Sequence, residues 1–395
     1  MLPPRDISLI CQIDASDCGP LMPFDYVIVG CGMFGCVFAR SVADRGKRVL
    51  LVDKRDHIGG NCYTEEVAGV HVHRYGPHIF HTNSTAVWRF VNRFTEFNNY
   101  RHRGVVCFGE RLYSFPINLL TLHQMWGVRT PGEAEAKLAA MRISAGDADD
   151  LESWILSQVG RELYETFVRG YTLKQWGRDP RELPAAIIRR IPIRLTYDDR
   201  YFDDLYEGIP RGGYTRMFEN MLDHPNISME TGVDYFAEAV RLRGLGETLV
   251  YTGKIDQFFD YRYGQLDYRS LRFESEILDH DFQGAAVVNY TDAAVPFTRI
   301  VEHKHFDPQP GSRTVITREF PQAYDAGQTP YYPIRDARNM AIYERYRAAA
   351  TESGVLFGGR LGTYQYYDMH QVVAQAMTLA ARDLGLDRPQ RKTAA

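Results

Sequence analysis

The sequence predicts an α/β protein: a doubly wound domain interrupted by an inserted helical domain and an antiparallel β-sheet domain. Three observations predict it. A short β-branched run leads straight into a glycine-rich turn and a helix-like stretch. Helical periodicity dominates residues 86–175. Alternating segments recur through 235–345.

The opening unit is explicit. Tyr26–Val29 is short, continuous and β-branched, the pattern of a strand buried on both faces. Gly30-Cys31-Gly32-Met33-Phe34-Gly35 follows as G-x-G-x-x-G. A helix is expected over Cys36–Asp44, stopped by Gly46, then a second strand over Arg48–Val52 that ends at Asp53. Gly30 permits the tight turn, Gly32 lets backbone approach a pyrophosphate, and Gly35 lets the helix pack on the strand. Free N–H groups at the helix start hold negative charge, and Asp53 is placed to accept from a ribose diol. The unit reads as a dinucleotide site.

Just after Asp53 comes Lys54-Arg55-Asp56-His57-Ile58-Gly59-Gly60-Asn61. A second glycine pair so close to the acid suits backbone crowded against a long cofactor, which favours FAD over NAD; the other reading is an ordinary surface turn.

Composition narrows the function. The 395 residues carry 46 basic and 50 acidic side chains, a net charge of −4, which disfavours nucleic-acid binding driven by overall charge. No apolar run approaches the ~18 residues of a membrane span. The six cysteines form no C-x-x-C pair, so neither a disulfide framework nor a metal site is expected, and reduced thiols fit a cytoplasmic address. Residues 1–21 lack a basic stretch followed by an apolar core and read as a loose extension, or as preceding a start at Met22.

Five further stretches are more specific: Tyr75–Thr82 (YGPHIFHT), Gly170–Gly177 (GYTLKQWG), Gly208–Tyr214 (GIPRGGY), Thr298–Lys304 (TRIVEHK), and Gly358-Gly359-Arg360 with Tyr364–Met369 (YQYYDM). In this order, from about Asp25 to residue 380, the chain resembles the bacterial UDP-galactopyranose mutase family. The resemblance implies an FAD isomerase, active when the flavin is reduced, that interconverts UDP-galactopyranose and UDP-galactofuranose. N5 of the flavin is then the nucleophile at the anomeric carbon, and the product serves cell-surface glycans. It also implies a reductant such as NAD(P)H and a homo-oligomer.

That chemistry needs no Ser-His-Asp set, because the cofactor carries the nucleophile. It needs cations for the departing diphosphate, and arginine's planar fork suits phosphate oxygens. The resemblance assigns Arg190 and Arg299 to the diphosphate. Phe167, Tyr171, Thr172 and Trp176 go to the uridine pocket; Tyr201, Tyr331 and Tyr366 reach the diphosphate; Asn289 contacts substrate. His78 lies against the flavin ring. To the cofactor it gives Gly30, Gly32, Phe34, Gly35, Asp53, Lys54, Gly60, Asn61, His78, Ile79, Arg360, Tyr367, Asp368 and Met369. Two departures stand out: Asp53 where many relatives carry Glu, and His102 where relatives often place Asn, a position expected to touch the sugar nucleotide.

The expected domains are 22–85, 206–234 and 346–395 for FAD binding, 86–175 for the helical unit, and 176–205 with 235–345 for the antiparallel sheet. Helices are expected at Ala86–Phe97, Leu151–Val168, Tyr214–Leu222 and Gln371–Leu384. Two other functions stay open on residues alone: a flavin oxidoreductase of the amine oxidase type, and a nucleotide-sugar binder without turnover.

Overall fold

The computed structural model describes residues 22–144, 149–189 and 192–386. Five parallel strands form the first sheet, in the order Leu356–Phe357, Gly246–Tyr251, Phe24–Val29, Val49–Asp53, Ile227–Thr231. The glycine-rich turn leaves the C-terminal end of the central strand, where ligands of open α/β sheets bind. The helix after it runs Met33–Ala43, three residues earlier than the sequence suggested. Gly32 is its N-cap, so the fingerprint glycines straddle the helix start.

Helices Met369–Asp383 and Gly213–Leu222 pack on that first helix. Their buried faces share one core with Tyr26, Ile28, Phe38, Val42, Met217, Phe218 and Val373. Phe38 is fully buried and meets Tyr26 edge-on at 5.5 Å and Phe34 at 6.1 Å. Phe38→Ala is therefore expected to cost ~3–5 kcal/mol, measured as a lower midpoint of chemical unfolding.

A seven-stranded sheet forms the second layer. Its order is Tyr332–Pro333, Tyr268–Leu278, Thr314–Ala323, Arg299–Glu302, Val287–Tyr290, Gly104–Phe108, Arg111–Phe115. It is antiparallel throughout except where Val287–Tyr290 meets Gly104–Phe108.

Three strands depart from the expected division. Gly104–Phe108 and Arg111–Phe115, inside the stretch expected to be helical, form a hairpin at the edge of the large sheet. Gly109 sits at its tip with φ of 58°, and Val106, Tyr113 and Phe115 are buried. Gly246–Tyr251 was expected in the antiparallel unit, yet it pairs in parallel with Phe24–Val29, in register Tyr26↔Thr248. A strand lying within the first sheet needs an apolar end, which Leu249, Val250 and Tyr251 provide.

Helices Gly213–Leu222 and Met369–Asp383 match their expected ranges to within two residues, and the other two are shorter than expected. Thr85–Val91 is capped by the Ser84 side chain and ends at Asn92. Leu151–Tyr164 contains non-helical Gly160 at φ 76° and passes into a wide turn over Glu165–Arg169, then into helix Gly170–Trp176.

Candidate active site

A cavity of about 520 Å³ opens at the mouth of the parallel sheet. Its floor is the glycine turn. A Cβ on Gly35 would overlap the Gly30 carbonyl oxygen, and one on Gly30, at φ 111°, would overlap Thr252 Oγ1. Those two glycines are required by the protein's own packing. Gly32 differs: a Cβ there would meet nothing nearer than Gly60 Cα at 3.9 Å and would stand where the cavity lies.

The second glycine pair is sewn onto the first loop. The Gly59 N–H donates to the Cys31 carbonyl at 2.8 Å, and Gly59 and Gly60 both have positive φ. Asp53 pins the same loop: Oδ2 accepts from the Cys31 N–H at 2.8 Å and Oδ1 from the Arg55 N–H at 2.9 Å. Each carboxylate oxygen keeps a further lone pair for a ligand hydroxyl.

Phe34, Lys54, Gly60 and Asn61 line this cavity, as do His78, Arg360, Tyr367 and Met369. Ile79 and Asp368 do not. Ile79 packs against the small core of Ile209, Val287 and Val301, and Asp368 caps helix Met369–Asp383.

Arg55 was not singled out from sequence. It lines the cavity, lies over the Tyr75 ring at 4.4 Å, and donates to Asn61 Oδ1 at 2.9 Å. Its Nη1 is buried with no partner. A bare glycine cradle, cationic side chains and an unpaired guanidinium nitrogen fit the pyrophosphate of a dinucleotide such as FAD.

His78 joins this cavity to the large sheet. Its Nδ1 lies 2.8 Å from the Gly76 carbonyl, which assigns the proton to Nδ1 and leaves Nε2 as an acceptor. Burial pushes its pKa down to about 4, and Arg360 and Arg299 push the same way. His78 is therefore neutral at ordinary pH, with a cation of each region near it.

On the large sheet three polar side chains sit side by side. Asn289 is directly across from Arg299, and Arg299 is directly across from Glu319. Arg299 Nη2 donates to Glu319 Oε1 at 2.9 Å. Glu319 is wholly buried, and both Arg299 Nε and Glu319 Oε2 lack partners. The carboxylate holds the guanidinium charged and fixes its plane. Glu319 is a site residue that sequence reading missed, since nothing in REFP marks it apart from a surface strand.

Aromatic rings gather around this row. Tyr332 stacks on Tyr366 at 5.7 Å, faces Tyr331 at 6.2 Å and reaches Trp176 at 6.4 Å. Burial raises the Tyr171 phenol to about 12, with Arg299 opposing that rise and Glu319, Tyr201 and Tyr366 adding to it. The structure thus gathers Tyr171, Tyr201, Tyr366 and Arg299. Phe167 stacks on Phe115 at 6.0 Å and meets Tyr113 edge-on, deep in the helical core. Thr172 is buried on the next turn.

His102 is buried, 5.1 Å from Tyr201, with Nδ1 3.0 Å from the Tyr100 hydroxyl and its N–H on Glu207. Burial first and Arg299 second push its pKa down to about 3, so it too is neutral. Arg190 lies outside the described residues; its neighbour Arg189 sits over the Trp154 ring at 5.9 Å.

Comparison with known proteins follows the same lines. The model of the UDP-galactopyranose mutase family matches residues 166–366, and a model of NAD(P)-binding Rossmann-like domains matches 28–94. A probable UDP-galactopyranose mutase of Klebsiella pneumoniae is 42% identical over 360 residues, covering 90% of this chain and 93% of its own. A dTDP-fucopyranose mutase of Escherichia coli is 41% identical over 366 residues, covering 90% and 97%. A crystal structure of reduced UDP-galactopyranose mutase superposes with a TM-score of 0.72 at 15% identity, covering 93% of this chain and 96% of that one. A putrescine oxidase shares the fold at a TM-score of 0.56 and 12% identity, over 92% of this chain and 99% of its own.

Proposed function

The chain belongs to the UDP-galactopyranose mutase family, and from that premise we propose that it is an FAD-dependent isomerase interconverting UDP-galactopyranose and UDP-galactofuranose. The observation that carries this reading is the continuity from the dinucleotide cavity, through neutral His78, to the Asn289–Arg299–Glu319 row. An amine oxidase needs no fixed arginine in an aromatic surround. A diphosphate leaving group does.

Bound FAD, when reduced, would supply the nucleophile, N5, for the anomeric carbon. The protein's part is binding and charge. Lys54, Arg55 and Arg360 line the cavity and hold the cofactor's diphosphate side. Arg299, held by Glu319, takes the substrate diphosphate and stabilises charge as it departs. Arg190 shares that task. Tyr331 and Tyr366 donate hydroxyls to the phosphates, and Tyr201 joins them. Phe167, Tyr171, Thr172 and Trp176 enclose the uracil. Asn289 and His102 face the nucleotide sugar, and His78 offers an acceptor beside the flavin ring.

The wider setting belongs to the same proposal: a reductant such as NAD(P)H, a homo-oligomer, a cytoplasmic site of action and galactofuranose destined for surface glycans. Among the described residues no helix is long and apolar enough to cross a membrane.

The near-equal identity to the dTDP-fucopyranose mutase favours one second reading, a thymidine-linked 6-deoxy sugar. Reduced protein offered UDP-galactofuranose and dTDP-fucofuranose in separate reactions decides between them by chromatography of the products. Conversion of the uridine substrate with the higher kcat/KM is expected. Preference for the thymidine substrate would replace the first reading with the second.

A further inference from the structure

Lys174 stands in the middle of the short helix Gly170–Trp176. Its Nζ donates to four main-chain carbonyl oxygens: Tyr290 at 2.7 Å, Asp292 at 2.8 Å, Val295 at 3.0 Å and Phe297 at 2.9 Å. An ammonium has three N–H groups, so four oxygens close the shell around it. This is how carbonyls surround a free monovalent cation, except that here the cation is tethered to a helix. Burial pushes the ammonium down to about 8, against the opposing field of Asp292.

The carbonyls run from the last residue of strand Val287–Tyr290 through the connection that leads to strand Arg299–Glu302. Two further ties bind that connection to the same helical segment. Thr291 Oγ1 donates to the Thr166 carbonyl at 2.6 Å, and a Cβ on Gly170 would overlap the Thr291 carbonyl oxygen. Asn289 precedes the caged stretch by one residue and Arg299 follows it by two. Tyr171, Thr172 and Trp176 flank Lys174 on its own helix.

We propose that Lys174 is a positioning residue: its ammonium locks the 290–297 connection to helix Gly170–Trp176, so that Asn289 and Arg299 stand at fixed distance from Tyr171, Thr172 and Trp176 before substrate arrives. The proposal rests on the mutase reading of those five residues. Volume alone does not explain a lysine here, because an apolar side chain of similar length fills the space without burying a charge. What the ammonium adds is direction. It turns four carbonyls inward and so dictates the path of the connection, and small misplacements of binding groups carry large kinetic penalties.

The test uses flavin-loaded full-length Lys174→Met and Lys174→Ala. Amide hydrogen exchange should quicken over 290–298 and stay parent-like over strand Phe24–Val29. The kcat/KM for UDP-galactofuranose should fall by roughly tenfold to a hundredfold, with the flavin absorbance spectrum unchanged. Propylammonium, which replaces the missing chain and its N–H groups, should restore protection and rate in Lys174→Ala; tetramethylammonium, with no N–H, should not. If neither variant folds alone, Lys174→Ala refolded with propylammonium gives the same readout. Parent-like exchange over 290–298, or a loss that propylammonium does not reverse, overturns the proposal. Failure of the parent protein to convert UDP-galactofuranose counts against the mutase reading instead, and exchange still judges the clamp.

Discussion

Arg299→Ala is expected to lower kcat/KM by ~10²–10³-fold while the bound flavin keeps its spectrum. Arg299 donates from a β-strand, one of the more rigid places a cation can stand, and Glu319 fixes the guanidinium plane at 2.9 Å. Its Nε is buried and unpartnered, so the side chain holds a donor in reserve for a phosphate oxygen. Removing it deletes charge stabilisation that grows as the diphosphate departs, so the loss should fall on kcat as well as on KM.

The same substitution should also destabilise the fold by ~3–5 kcal/mol, because it leaves a wholly buried carboxylate unpaired. Glu319→Gln in the same chain separates the two effects. The double variant should regain most of the lost thermal stability and none of the lost activity. Parent-like turnover in the single variant would remove Arg299 from the site.

Gly32→Ala should abolish flavin retention, weakening FAD binding by about a hundredfold or more, and yet leave the unliganded fold nearly as stable as the parent. Its φ of −81° suits any residue, and a Cβ there meets only Gly60 Cα at 3.9 Å. The methyl group therefore costs the protein little and occupies the cradle a pyrophosphate needs. Gly35→Ala should behave oppositely, since its Cβ would overlap the Gly30 carbonyl oxygen and damage the fold itself. Flavin fluorescence after gel filtration and a melting curve on each variant read the two quantities apart. Full flavin occupancy in Gly32→Ala would contradict the cofactor assignment.

The glycine turn, its two strands and its helix were legible because each residue's local demand is written in its type: β-branched run, bare backbone, acid at the strand end. The boundaries were less so. The sequence pattern puts the helix start at Cys36, yet the helix begins at Met33, because Gly32 can serve as N-cap with no side chain to mark it. Ala86–Phe97 looked helical since Phe90, Phe94 and Phe97 are apolar at helical spacing. All three are buried, but Phe94 faces the core from the turn after the helix and Phe97 from a β-bridge to Pro210.

Long-range pairing hid the rest. Gly246–Tyr251 joins the first sheet by pairing with a strand more than 200 residues earlier, and no local pattern names a partner at that distance. Glu319 and Lys174 share this limit. Each acts through a neighbour that only the folded chain supplies, Arg299 across a strand pair and four carbonyls across a connection. The family resemblance points to residues expected to touch ligands; the residues that hold those in place are visible from geometry.

The most direct measurement is anaerobic incubation of the protein with UDP-galactofuranose, in the dithionite-reduced and the oxidised state, followed by chromatographic separation of the two UDP-sugars. UDP-galactopyranose is expected from the reduced protein and none from the oxidised protein. Equal conversion in both states would contradict the reduced-flavin mechanism, and no conversion by a protein holding reducible FAD would contradict the mutase reading itself.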